Sequence, residues 1–359
     1  MKQSIRLLHD YMKEGELIVL SNYKKKTALL LSGLLVMSVG LAACGSNDAK
    51  DEAGAASVAP STQAATATPQ ASASAAATQA PAEKTMKDAL GNDVKIPANP
   101  QRIIASYLED HLVALGIKPV AQWTVANGTQ AYLQDSLNGI PTIPYDLPFE
   151  AVTSFNPDLL IVGGNSVVAG DKYAQYAKIA PTYTLGDEIN GDWRKALLKI
   201  GEVLNKSEAA QKALDGYDLK AKEAKAKIQQ AAGAKSAAAI WLVQKNFFVV
   251  SDTLSSGAVI YKDLGFTVPD AVKEISAAGK ANWNPISMEK LAQLNADYIF
   301  LINSDKEAGS EALKDPVWQA IPAVKNGQVF EFDRNGSWLY SGVIANQKMI
   351  DDVLKSIVK

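Results

Sequence analysis

Two hydropathy patterns alternate over most of this chain. Short runs rich in Val, Ile and Leu are followed by stretches whose apolar residues recur at helical spacing. The runs predict strands at Arg102–Ser106, Pro119–Trp123, Asp158–Gly163 and Thr182–Leu185. A second set follows at Ser236–Val243, Phe247–Ser251, Asp297–Ile302 and Gln328–Phe332. Strand–helix alternation implies βαβ units, hence an α/β fold with mainly parallel sheets covered on both faces. Asp88–Pro97 places turn residues between two apolar arms and reads as a hairpin.

Between the two strand sets lies Ser207–Ala232, rich in Ala, Lys, Glu and Gln, with Ser207 as a candidate cap and Gly233 as a stop signal. A helix of about 25 residues spans roughly 37 Å, a stiff strut between two lobes. A repeat supports that division. Glu150, Asn156 and Asp158 recur as Glu289, Asn295 and Asp297 at the same offsets, each set followed by an apolar strand. One copy lies on each side of the strut, as expected for two related lobes.

The N-terminal region has a different texture. Lys24, Lys25 and Lys26 precede an apolar run from Thr27 to Ala43, which ends on Leu41-Ala42-Ala43-Cys44-Gly45. A basic segment, an apolar segment and a small-residue cleavage site make a secretory signal peptide over residues 1–43. A short membrane-spanning helix competes for the same run, although Ala42, Ala43 and Gly45 are poor lipid-facing residues. Residues 45–84 are Ala, Ser, Thr, Pro and Gln with almost no large apolar side chains. Such a segment is expected to stay disordered, as a tether.

Composition narrows the function. The 359 residues carry a formal charge of −2, which gives no support to a nucleic-acid partner. Loss of residues 1–43 removes Lys2, Arg6, Lys13 and the three lysines against Asp10, Glu14 and Glu16, making the mature chain three units more acidic. Cys44 is the only cysteine, so no internal disulfide forms. His111 is the only histidine of the predicted folded part, at a helix start where a surface position is expected. No Ser nucleophile elbow or Gly-rich phosphate loop is found. The chain reads as a binding protein rather than an enzyme.

Asp88-Ala-Leu-Gly-Asn, Ile96-Pro, Pro100-Gln-Arg-Ile-Ile, Ala114-Leu-Gly-Ile-Lys-Pro-Val and the paired Glu…Asn-x-Asp segments, in this order, resemble the substrate-binding lipoproteins of ABC importers for iron–siderophore complexes. Leu-Ala-Ala-Cys is similar to the bacterial lipobox, in which the cysteine carries diacylglycerol. Two acyl chains anchor a protein stably where one does not. The resemblance covers about residues 85–359. It implies two Rossmann-like lobes joined by one long helix, a shallow cleft and small closure on binding. The expected organisation is residues 1–43 signal peptide, 44–84 lipidated tether, 85–206 first lobe, 207–232 connecting helix and 233–359 second lobe.

The resemblance also implies roles. Glu150 and Glu289 would dock onto arginines of a permease dimer driven by its ATPase. Trp283, Trp338 and Tyr340 match cleft positions of hydroxamate-siderophore binders, on loops flanked by Gly, Asn and Ser. Tyr107, Trp123 and Asn127 would face the same cleft from the first lobe. Where such binders often carry an arginine, this chain has Pro144, so Arg334 becomes the leading donor to the ligand. Iron would arrive as a preformed chelate held by aromatic walls, with no resident cofactor and no protein metal ligand. The expected product is a monomer at the outer face of a bacterial membrane, touching it through the anchor alone. A catecholate, ferric citrate, haem or cobalamin on the same scaffold is the alternative ligand; a structural or adhesive lipoprotein is the alternative class. Only Arg102, Arg194 and Arg334 remain as arginines in the mature chain, which argues against a catecholate.

Overall fold

The computed structural model describes residues 82–125, 128–279 and 281–358. The signal peptide, Cys44, the tether up to residue 81 and Asn127 lie outside the described residues.

The chain opens with an antiparallel hairpin, β1 (Lys84–Lys87) and β2 (Asp93–Ile96). Its arms lie one on each side of Asp88, not within Asp88–Pro97 as the apolar pattern suggested. Asp88 belongs to the turn, because its Oδ1 accepts the N–H groups of Leu90 and Asn92 at 3.0 and 2.8 Å. Next come β3 (Ile103–Ile104), α1 (Glu109–Ala114), β4 (Gln122–Thr124), β5 (Thr142–Pro144), α2 (Phe149–Ser154), β6 (Leu159–Val162), β7 (Thr182–Thr184) and α3 (Trp193–Val203). The long helix α4 covers Ser207–Ala232. After it follow β8 (Ala237–Val243), β9 (Asn246–Val250), β10 (Trp283–Pro285), α5 (Met288–Ala292), β11 (Tyr298–Asn303), β12 (Val329–Asp333) and α6 (Val343–Ile357).

Ahead of α4, β3, β6 and β7 form a parallel sheet with β6 central, and β4 pairs with β5 in a separate parallel ribbon. Beyond α4, the order β10-β9-β8-β11-β12 is parallel through β8, β11 and β12, with β9 and β10 antiparallel at one edge. All four residues of β6 are buried, as a strand covered on both faces requires. This is the expected α/β architecture of two lobes joined by one long helix.

The repeat has a physical reason. Asp158, just ahead of β6, accepts the backbone N–H groups of Gln101 and Arg102 at 2.7 and 2.9 Å. Asp297, just ahead of β11, accepts that of Ser236 at 2.8 Å and pairs with Lys235 at 2.9 Å. Each aspartate therefore fixes the start of the neighbouring parallel strand, β3 or β8. The backbone amides it satisfies have no ladder partner at a strand end.

Ala210, Leu214, Tyr217, Ala221, Ala224 and Ile228 are the buried residues of α4. Their alternating spacing of four and three draws one stripe along the helix. On its flank Lys220 pairs with Asp351 of α6 at 2.7 Å. Tyr217 donates to Asp263 at 2.7 Å, and Arg194 of α3 reaches the same carboxylate at 3.0 Å. The strut is thus tied to elements before and after it in the chain.

Candidate ligand-binding site

Open α/β sheets bind ligands at the carboxyl ends of their strands. Tyr107 lies just past β3, Trp123 lies in β4, and Tyr340 follows β12 on the loop leading to α6. Their side chains meet. The ring centroids of Tyr107 and Trp123 are 4.9 Å apart and those of Tyr107 and Tyr340 6.0 Å apart. Tyr132 adds a fourth ring, 5.1 Å from Tyr340. Residues from both sides of α4 therefore build one aromatic surface. Tyr107 is 49% exposed, unusual for a large ring, and its backbone is left-handed with φ +65°. Such a conformation costs free energy in a non-glycine residue and concentrates at functional sites.

Beneath the rings, α1 begins with two buried carboxyls, Glu109 and Asp110. Glu109 Oε1 accepts the Trp123 backbone N–H at 2.7 Å. Burial pushes the Glu109 carboxyl up to about 7, against the pull of the backbone N–H groups of Trp123, Glu109 and Tyr107. Burial also holds the Tyr107 hydroxyl well above its usual range, with added contributions from Tyr340 and Glu109.

Asp110 fastens α1 to the last helix. Its Oδ1 accepts the N–H of Ile344 at 3.0 Å, and its Oδ2 accepts that of Ala345 at 2.9 Å and the hydroxyl of Tyr132 at 3.1 Å. The Ile344 and Ala345 N–H groups are orphan donors of the first turn of α6, which has no side-chain cap of its own. Gly342 is needed because a Cβ there would stand 2.3 Å from the Asp110 carboxyl carbon. Burial pushes Asp110 up to about 6 although all three donors favour its ionised form.

His111 does not occupy the surface position expected of it. It is buried with its pKa lowered to about 4 by desolvation, because α1 is wedged between the first lobe and α6.

Arg334 lies in the turn after β12, half-buried, with no hydrogen-bond or ion-pair partner among the described residues. Glu150 and Glu289 are both exposed in the first turns of α2 and α5. Ser287 caps α5, and the Glu289 backbone N–H with the Ser287 hydroxyl holds the Glu289 carboxyl below its usual range. No group of three or more His, Cys, Asp and Glu side chains able to hold a metal occurs among the described residues.

A family model described as periplasmic binding protein matches residues 106–335. The chain belongs to that family. As a periplasmic binding protein it is similar to the iron(3+)-hydroxamate-binding protein FhuD of Bacillus subtilis, at 28% identity over 94% of this chain and 99% of the relative. The probable siderophore-binding lipoprotein YfiY of Bacillus subtilis is 26% identical over 75% of this chain and 86% of that protein. A solved FhuD fold-family periplasmic binding protein from Bacillus subtilis, described as a component of a Fep/Fec-like ferrichrome ABC transporter, superposes with a TM-score of 0.66. It is 27% identical, covering 76% of this chain and all of the solved one.

Two aromatic positions in this periplasmic binding protein depart from expectation. Trp338 is 1% exposed. It stacks on Phe332 at 4.7 Å, lies 5.2 Å from Phe300, and donates from Nε1 to Asp352 at 3.0 Å. It fills the gap between β11, β12 and α6, packed into the core and not exposed on its loop. Trp283 is not on a loop either. It starts strand β10, is 8% exposed and meets Trp241 edge-on at 6.0 Å. Tyr132, Glu109 and Asp110 were missed as a group. Glu109 and Asp110 follow Tyr107 and Leu108 at a helix start, which reads equally well as ordinary helix polarity, and Tyr132 carries no local signal of its own.

Proposed function

We propose that this periplasmic binding protein captures a ferric siderophore, most naturally of the hydroxamate type, and delivers it to an ABC importer. The observation that carries the reading is the Tyr107–Trp123–Tyr340 surface, drawn from both sides of the long helix. Flat rings suit a compact chelate whose iron is already coordinated. Relatives named for hydroxamate and siderophore binding support the ligand class. Arg334 supplies a free charged donor for hydroxamate oxygens.

In this account residues 1–43 are removed, Cys44 bears the lipid, and the expected tether of residues 44–84 ends one residue earlier, because Lys84 already belongs to β1. The lobes on either side of the connecting helix then run 84–206 and 233–359. The protein works as a monomer on the extracytoplasmic face of the membrane. Glu150 and Glu289 dock onto a permease dimer and its ATPase, and no catalysis is involved. Their exposed positions at equivalent turns of the repeat support that pairing.

A titration of intrinsic fluorescence against ferric hydroxamates, catecholates, citrate and haem tests the reading. Saturable quenching by a ferric hydroxamate at the lowest concentration is expected. Tighter binding of a catecholate or haem overturns the ligand class while leaving the family standing.

A further inference from the structure

Glu109 carries more than its one strong hydrogen bond needs. The side chain is fully buried, yet Oε2 meets no donor at hydrogen-bonding geometry among the described residues. The backbone N–H groups of Tyr107 and Glu109 act on the carboxyl only from looser positions. A buried acceptor left without a full partner is destabilising, so the fold keeps this oxygen at a penalty. No Lys or Arg among the described residues pairs with it. The other ionisable groups of its helix turn do not compensate its ionised form, which burial already disfavours. Asp110 is engaged with α6, and the lowered pKa of His111 keeps that ring neutral. Gln130, on the loop leading to Tyr132, holds a second buried acceptor oxygen without a donor.

The rings of Tyr107, Trp123 and Tyr340 gather on the same side of the molecule as this carboxyl. Glu109 is bonded to the backbone of one and acts electrostatically on the hydroxyls of the other two. Aromatic faces around a carboxylate form a receptor for an organic cation. The ring quadrupoles attract the charge and the oxygen accepts its N–H. Tyr107, at 49% exposed, is the most accessible of the three rings beside this carboxyl.

We infer that Glu109, with the Tyr107–Trp123–Tyr340 rings, is a subsite for a protonated amine carried by the chelate. This rests on the ferric-hydroxamate reading above and names the feature of the ligand that the site selects.

The test compares two linear ferric trihydroxamates, one with a free terminal ammonium and one with that amine acetylated. Isothermal titration of the wild-type protein is expected to show about tenfold tighter binding of the ammonium form. In Glu109→Gln, which keeps an acceptor for Trp123 but loses the charge, the ratio of the two affinities should fall to within about twofold of one. A wild-type protein that binds both forms equally overturns the subsite, whatever the variant does. So does a Glu109→Gln protein that retains the tenfold preference. A wild-type protein that binds neither chelate but takes ferric citrate or a catecholate overturns the ligand reading, and this subsite with it.

Discussion

Trp338 and Tyr340 stand two residues apart on one loop and do opposite work. Trp338 is locked between Phe332 and Phe300 with its indole N–H held by Asp352. Tyr340 turns the other way, onto Tyr107 and Tyr132 of the first lobe. Both are flanked by the small polar residues that mark loops. The difference teaches that loop chemistry fixes the backbone, while the neighbouring sheet and helix decide which ring is captured by the core. One ring is packed in the core and the other, on the proposed reading, serves recognition; substitutions can separate the two.

The largest effect falls on the buried ring. Trp338→Ala removes a fully buried indole from between two sheet aromatics and leaves a cavity, so a loss of about 3–5 kcal/mol of stability is expected. Urea unfolding measures it. A midpoint unchanged from wild type would show that the ring is not part of the core.

On the recognition side, Trp123→Ala and Tyr340→Ala should each cost on the order of 1–3 kcal/mol of ferric-hydroxamate affinity, or roughly ten- to hundredfold. Arg334→Ala should lose a comparable amount if its free guanidinium meets the ligand. Melting temperatures should move much less than for Trp338→Ala. A variant that unfolds as easily as Trp338→Ala while binding normally would reverse the assignment.

The buried acids sharpen the comparison through pH. Glu109 has a folded pKa of about 7 against an ordinary 4.5. The folded state therefore holds a proton that the unfolded state has lost, and this group makes stability fall as pH rises from about 4.5 to 7. Asp110, raised to about 6, acts in the same direction at lower pH. His111, lowered to about 4, acts oppositely, with stability falling as pH drops from about 6.5 to 4. Subtracting Glu109→Gln from wild type isolates the first contribution. The stability of the variant relative to wild type should rise by roughly 1–3 kcal/mol between pH 4 and pH 8. A difference that stays constant across that range would mean that the carboxyl titrates normally.

The smallest effect on binding belongs to the surface. Glu150→Ala and Glu289→Ala remove exposed side chains, so stability and affinity should stay within about 0.5 kcal/mol of wild type. Uptake of the chelate by cells should fall in each and further in the double variant. Wild-type uptake by the double variant would remove the docking role.

The fold was legible because its signals are local. Apolar runs such as Leu159–Val162 and the four-three stripe of α4 report burial directly. The repeat was legible because Asp158 and Asp297 each hold the backbone entering the neighbouring parallel strand. Strand edges were less so: β5 and β10 are three residues each, too short for a periodic signal. Ring positions were less legible than the fold. Tyr107, Trp123 and Tyr340 converge as expected of neighbours in one cleft, but the Gly, Asn and Ser around Trp338 and Trp283 mark loops in sequence while neighbours in space bury both rings. The Asp110 clamp onto Ile344 and Ala345 joins residues more than two hundred positions apart, and no local pattern encodes such a contact.

The central claim is that ligand lies on the rings shared between the lobes and not on the tryptophan beneath the loop. Isothermal titration of one ferric trihydroxamate into Trp123→Ala and Trp338→Phe tests it in a single comparison, because phenylalanine preserves most of the buried packing. The account predicts a loss of at least about tenfold for Trp123→Ala and binding within about twofold of wild type for Trp338→Phe. Normal binding by Trp123→Ala together with a large loss in Trp338→Phe would contradict it.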